Sequence, residues 1–487
     1  MGGWGLIEVL RGTKAKRAVR SCLIMIYALG LALPLAGCLL DGENPEPRLN
    51  IPQAYDGGPR DPVAADAALP RLDWWRGFRS PELAATIEEA RTANFDIAAA
   101  VARIVQADAQ SRMAGSALLP GVNFNAMAAR CSPMQSACNY SGSSGGPDQN
   151  MLSASLTASY EIDFWGKNRS ALRAAAGTAV ASRYNREVVE LATVVTAATA
   201  YFQVLTTQDR LQVARDNLKS AVRVLNLIQE RLNTGTATVL DVAQQESLVD
   251  TQRAAIPPLE QTLRQNRIAL AVLMGRTPES VHIRGGSLRS IAVPRVTPGL
   301  PSELLMQRPD IREAEAALAA ANANIQNARA QMLPSITLTG AGGYQSAVLA
   351  TLLRPESAVY SLAAGLAQPV FDGWRLQSNL DLQRAKQDEL LQNYRKTVIS
   401  AFGDVENALD DIRKTAERLR LQNDVAVSSR LAFDISAQRL SGGTVDLITV
   451  LQTQQALFQA QDMLVQARLA HVQAIVSLYQ ALGGGWQ

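Results

Sequence analysis

The sequence predicts a mainly α chain that also carries membrane-type β-strands, laid out as two copies of one plan. Three observations predict this: a long internal repeat, four short segments that alternate apolar with polar residues, and two helical tracts too long for a self-contained domain. The repeat is the most direct. Arg231-Leu232-Asn233-Thr234-Gly235-Thr236 returns as Arg439-Leu440-Ser441-Gly442-Gly443-Thr444, 208 positions on. The same offset carries Val242 to Val450, Gln244 to Gln452 and Gly275 to Gly483. Asp163-Phe164-Trp165 answers Asp372-Gly373-Trp374 at 209, and Asp96-Ile97 with Leu119-Pro120 answers Asp310-Ile311 with Leu333-Pro334 at 214. So long a period is unlike the 20–50 residues of a solenoid unit. It marks a duplicated half-protein.

The chain opens on a targeting pattern. Lys14, Lys16, Arg17 and Arg20 precede an apolar run, Leu23 to Leu35, that is short for a bilayer span. It closes on Leu35-Ala36-Gly37-Cys38, which resembles a bacterial lipobox and implies cleavage before Cys38 and acylation of that residue. The alternative is an uncleaved N-terminal anchor. Leu39, where an Asp would signal retention, implies release to an outer membrane. Residues 41–70, rich in Pro, Gly and Asp, read as an extended tether. In an exported protein Cys131 and Cys138 fit a small loop disulfide.

The elements follow in order. Pro81 to Ala117 has helical apolar spacing, ended by Leu119-Pro120-Gly121. Val122, Phe124, Ala126 and Ala128 then alternate as a strand. After a Pro/Ser/Gly-rich loop, Leu152 to Phe164 alternate without a slip against Ser153 to Asp163. A tract from about Asn168 to Leu232 is helical, breaks at the glycine motif and returns as Val239 to Met274, where Pro257-Pro258 should interrupt it. In the second copy Pro309 starts a helix at its favoured first position, and Ala314 to Ala330 is small enough for close helix approach. Strands are expected around Ile336 to Tyr344 and Tyr360 to Leu366. A second tract runs from about Arg375 to Leu440 and returns as Val445 to Leu482, without a proline pair.

Each long tract would reach roughly 100 Å as continuous helix, so it needs partners along its length. Four strands of membrane-spanning length cannot close a barrel, and an open edge is not tolerated in hydrocarbon. Several chains must therefore combine; two would give a filled lumen and three leave room for a pore. The competing structure is a soluble α/β protein with two hairpins. Leu191 to Gln208 is uncharged over 18 residues, but its Thr and Gln residues suit a lipid-facing helix poorly.

The order lipobox, helix, hairpin, long helix, Arg-Leu-x-x-Gly turn and return helix, twice over, resembles the TolC-like outer membrane factors. It is most similar to their lipid-anchored OprM/NodT branch, which serves tripartite efflux pumps. Arg308-Pro309-Asp310-Ile311-Arg312, Tyr160 to Lys167 and Leu482-Gly483-Gly484-Gly485-Trp486 carry the resemblance, over about residues 38–487. It implies a homotrimer whose twelve-stranded transmembrane β-barrel continues into a long periplasmic α-helical barrel with an equatorial belt. It implies a passive exit duct for small molecules, supplied by an inner-membrane pump of the resistance-nodulation-division type through a periplasmic adaptor. The domains are then a lipoprotein signal peptide (1–37), a lipid-anchored tether (38–80), a first repeat (81–275), a linker and equatorial segment (276–308), and a second repeat with the C-terminal segment (309–487).

By the same resemblance Arg231, Gly235, Thr236, Arg439, Gly443 and Thr444 form the tips that meet the adaptor. Thr236 and Thr444 stand where relatives often carry Leu. On a purely mechanical reading, the two glycines only supply a positive φ for a tight turn. Relatives commonly place a carboxylate nine residues beyond the second glycine; here that position is Gln452. Ile448, Thr449 and Gln452 are expected at the periplasmic constriction, with Asp241 and Asp446 the nearest carboxylates.

Several classes are disfavoured. Net charge is +3 without a basic block, which gives no footprint for nucleic acid. Two histidines, His282 and His471, and no clustered Cys/His spacing give no metal site. No nucleotide-binding glycine loop or redox motif is present, so neither a cofactor nor an enzyme is expected. The remaining alternatives are an outer membrane duct for type I protein secretion, which shares this architecture, and a scaffold or adhesin.

Overall fold

The computed structural model describes residues 49, 52, 55, 71–131, 149–294, 296 and 301–485. Cys38 and Cys138, and the side chain of Cys131, lie outside what is described. The chain forms two compact units, and each draws on both repeats. One holds Ala107–Thr178 with Ala317–Leu391; the other holds Ala179–Ala316 with Gln392–Gln487 and the segment ending at Gln106.

The first unit is organised by a four-stranded antiparallel sheet, β1 (Gly121–Cys131), β2 (Gln149–Ile162), β3 (Ser335–Ser346) and β4 (Ala358–Ala367), in that spatial order. Side chains alternate between the faces of a strand, so register decides whether the apolar sets coincide. They do. Phe124 pairs with Leu156, Ala158 with Gly340, Tyr160 with Leu338, and Ile336 with Leu366. The other face carries Asn123 opposite Thr157, Asn125 opposite Ser155 and Ser159 opposite Thr339. Asn125 also donates a side-chain hydrogen bond to Thr157 at 3.0 Å on that face. Phe124, Leu156, Tyr360 and Leu362 are exposed, so the apolar face is bare within one chain.

In the same unit, the start of α3 (Lys167–Asn233) packs on α7 (Pro309–Ala330). A Cβ on Gly177 would stand 3.0 Å from the Cβ of Ala320, so the small residues there do allow close approach. The Trp165 indole donates to the carbonyl of Pro334 at 2.8 Å and ties the two hairpins' bases together.

The expected first helix is two, α1 (Pro81–Ala93) in the second unit and α2 (Phe95–Ser116), which starts there and runs into the first. Asn94 makes the break: its Oδ1 accepts the amides of Asp96 and Ile97, and its Nδ2 donates to the Leu273 carbonyl at 3.0 Å. One buried side chain thus serves two helix ends. Trp74–Phe78, within the 38–80 span assigned to the tether, is a 3-10 turn with Trp74, Trp75 and Phe78 buried. Trp74 stacks on Tyr479 with ring centroids 4.7 Å apart. Around them lie Tyr201, Phe202, Leu205, Leu270 and Val472.

α3 is the one helix among the described residues long and apolar enough to cross a membrane. Its apolar stretch, including Ala197, Ala198, Phe202 and Leu205, is spent on this core instead. The return helix of the first repeat breaks as the prolines dictate, into α4 (Val239–Ala254) and α5 (Ile256–Leu273), with a proline in the first turn of α5. A short α6 (Pro301–Gln307) precedes α7. In the second repeat α8 (Arg375–Ser441) matches α3 at 67 residues, and α9 (Leu447–Ala481) runs unbroken.

Candidate functional site: the paired helical tips

Both long helices end in the same closure. After α3, Gly235 adopts φ +74°; its amide donates to the Leu232 carbonyl at 3.0 Å, and the Thr236 amide donates to the Arg231 carbonyl at 2.8 Å. After α8, Gly443 has φ +70°, with Gly443 to Leu440 and Thr444 to Arg439 both at 3.0 Å. This paired i−3 and i−5 bonding is a Schellman closure, and the left-handed residue in it favours glycine. The threonines after the glycines add a third bond: the Thr236 and Thr444 hydroxyls donate to the carbonyls of Arg231 and Arg439 at 3.1 and 3.2 Å. A leucine there could not.

The next helix is then capped, but by opposite chemistry. Thr238 caps α4 and forms a reciprocal capping box with Asp241 three residues on. Asp446 caps α9 and accepts from the backbone amide of Thr449 at 3.0 Å and from its hydroxyl. At the repeat offset Thr238 corresponds to Asp446 and Asp241 to Thr449. The hydroxyl and carboxylate have exchanged places. Thr449 holds the Asp446 carboxyl below the ordinary aspartate range through those two hydrogen bonds.

The tips share one core. Ala221, Val224, Ile228, Leu248 and Val249 from the first repeat pack with Phe433, Leu440, Leu447, Val450, Leu457 and Phe458 from the second. Gln245 and Gln454 are fully buried there and meet at 3.3 Å, and Gln245 also donates to the Ala221 carbonyl. Gln452, expected at the constriction, is exposed. Ile448 is 54% exposed, and Thr449 is exposed beside it, so Ile448, Thr449 and Gln452 do share one open helix face. Asp241 is half-buried and held in its capping box.

Arg231 does something the spacing did not foretell. Its Nη1 crosses to the second repeat and donates to the Leu440 carbonyl at 2.8 Å. Arg439 is exposed. Among the described residues no cluster could hold a metal ion.

The profile of the outer membrane efflux protein family matches residues 86–276 and 300–484, one span for each repeat. The chain belongs to the outer membrane efflux protein family. A relative from Pseudomonas putida, the pyoverdine export outer membrane protein OpmQ, is 41% identical over 93% of this chain and 97% of its own. The OpmQ of Pseudomonas aeruginosa is 42% identical over 85% of this chain and 87% of its own. The solved outer-membrane channel OprN superposes with a TM-score of 0.85 at 25% identity, covering 92% of this chain and 99% of that one. This outer membrane efflux protein therefore has the TolC-like fold, helical with transmembrane strands. It acts in the outer membrane as the exit channel of a tripartite efflux system, and its family is one of channels.

Proposed function

We propose that the protein works as a homotrimer, in which three four-stranded sheets close one twelve-stranded barrel. The observation that carries this is the sheet itself: β1 and β4 are its open edges, its apolar face is bare, and neither edge is tolerated in hydrocarbon. Three copies leave a polar lumen lined by residues such as Asn123, Ser155 and Thr339. Cys38 carries the lipid anchor, on the strength of the lipobox before it. The cargo is a small molecule of the pyoverdine type, delivered by an inner-membrane pump of the resistance-nodulation-division type through a periplasmic adaptor. The adaptor meets the tips at Gly235, Thr236, Gly443 and Thr444, whose side of each turn is exposed. Native mass spectrometry in detergent should give three chains; a folded monomer would end this reading.

Ile448, Thr449 and Gln452 narrow the entrance, their common open face turned to the three-fold axis. A ring of three amides offers little charge selectivity, whereas three carboxylates in a narrow lumen attract cations strongly. Gln452→Asp should raise cation selectivity and multivalent-cation block in planar bilayers. Strong block of the unaltered channel would place the narrowing on Asp241 or Asp446 instead.

A further inference from the structure

The bond between the two tips of one chain has a direction. Arg231 of the first repeat gives its guanidinium to the Leu440 carbonyl of the second, at 2.8 Å. That carbonyl also accepts the Gly443 amide, and a Cβ built on Gly443 would stand 3.8 Å from the Arg231 Nη2. A cation at the C-terminal end of a helix meets the partial negative charge of the last carbonyls, so the seat suits an arginine.

The seat exists twice. Shifted by the repeat offset, its parts are Arg439, Leu232 and Gly235. The turn at Gly235 has the same conformation and the same two closing hydrogen bonds as the turn at Gly443. Yet no side chain donates to the Leu232 carbonyl among the described residues, and a Cβ on Gly235 would have no heavy atom within 4 Å. Arg439 is exposed, and among the described residues its guanidinium has no hydrogen bond or ion pair. A donor and a matching seat are thus both open, one on each tip.

A head-to-tail ring of pseudo-symmetric halves explains this pairing. The first repeat hands its arginine to the second within a chain; the second can hand its own only to the first repeat of the next copy. We propose that Arg439 donates to the Leu232 carbonyl of the neighbouring copy, with its guanidinium over that copy's Gly235. The ring of tips is then tied by arginine bonds that alternate within and between chains. This rests on the trimer proposed above and adds the residues that join its copies.

The test uses the full-length protein in detergent, with Cys131 and Cys138 replaced by serine. The pair Arg439→Cys with Asn233→Cys is treated with a short bismaleimide and compared with the mirror pair Arg231→Cys with Ser441→Cys. The first pair should give linked dimers and trimers on a denaturing gel, and the second should stay at the mass of one chain. Hydrogen exchange supplies a second readout without cysteines. Arg439→Ala should speed exchange at 232–238 about tenfold, and Arg231→Ala should do so at 440–446, because a charge-assisted bond to each turn is lost. Native mass spectrometry on the same samples separates the two claims. Three chains without linkage of the first pair, or with exchange at 232–238 unmoved by Arg439→Ala, would overturn the arginine seam and leave the trimer standing. Single chains would remove the trimer itself and the seam with it.

Discussion

The first- and second-repeat tips share their backbone and differ in their charges. Gly235 and Gly443 close their helices with the same left-handed turn, and the following threonines repeat the same hydroxyl bond. Three residues on, the resemblance stops: the cap is a hydroxyl in one and a carboxylate in the other. Backbone conformation at a tight turn admits few residues, while a helix N-cap accepts Thr or Asp almost equally well. The comparison therefore separates what the turn requires from what the cap merely permits.

The return helices differ most, and breaking that difference should have the largest effect. α9 has Gln466 near the place where the first repeat has Pro258. Gln466 is exposed, so Gln466→Pro leaves the core chemistry alone, but it removes an interior amide and clashes with the preceding turn. We expect a loss of about 3 kcal/mol, read as an earlier denaturant midpoint. Pro258→Gln at the existing break should stay within about 0.5 kcal/mol. Equal losses at both sites would mean that the proline pair is not what divides α4 from α5.

A smaller effect should come from the caps. Thr238→Ala removes the hydroxyl that accepts the Asp241 amide at 3.2 Å, and about 1 kcal/mol of helix stability should go with it. The second tip should instead respond to acid. With its pKa lowered in the folded protein, Asp446 supports α9 fully above the ordinary aspartate value. That support is lost as pH falls through the lowered folded value. Exchange at Thr449 should rise there in the native protein and show no such step in Asp446→Asn.

The smallest contrast lies higher on the same helices. Thr207 and Thr415 correspond at the repeat offset. Asn266 donates to the Thr207 hydroxyl at 3.2 Å, while His471 Nδ1 meets the Thr415 hydroxyl at 3.1 Å. Burial lowers the His471 pKa, so the folded protein resists the proton that the unfolded chain takes up below about pH 6.5. Stability should be full above that value and fall as pH drops below it. His471→Asn, which keeps a polar side chain near Thr415 but cannot take up the proton, should flatten this slope between pH 7 and 5. An unchanged slope would assign it to another group.

Much of this was legible because the patterns were local. Period-two alternation located all four strands, and the register places Phe124, Leu156, Leu338 and Leu366 on the face that alternation assigned them. Pro257-Pro258 marked a real break because proline acts on its own turn. The break at Asn94 was missed inside an Ala-rich run, although an Asn followed by Asp96 is a readable cap signal. Trp74 and Trp75 were lost to the tether because a short 3-10 turn leaves no periodicity. At the tips, the glycines and threonines were found from the repeat alone. The Arg231 to Leu440 bond joins residues 209 apart through a backbone oxygen, which has no residue type to betray it. The exchange of Thr238 and Asp241 for Asp446 and Thr449 needed only the two copies set side by side.

That duplication also sets the grain at which the gene can edit the ring. Were the proposed trimer a hexamer of half-length chains, one codon change would alter all six tips together. With both halves on one chain it alters every second tip and leaves its neighbours as they were. A carboxylate can thus sit three residues apart on the two helices, as Asp241 and Asp446 do at the repeat offset, with each station set independently of its neighbours.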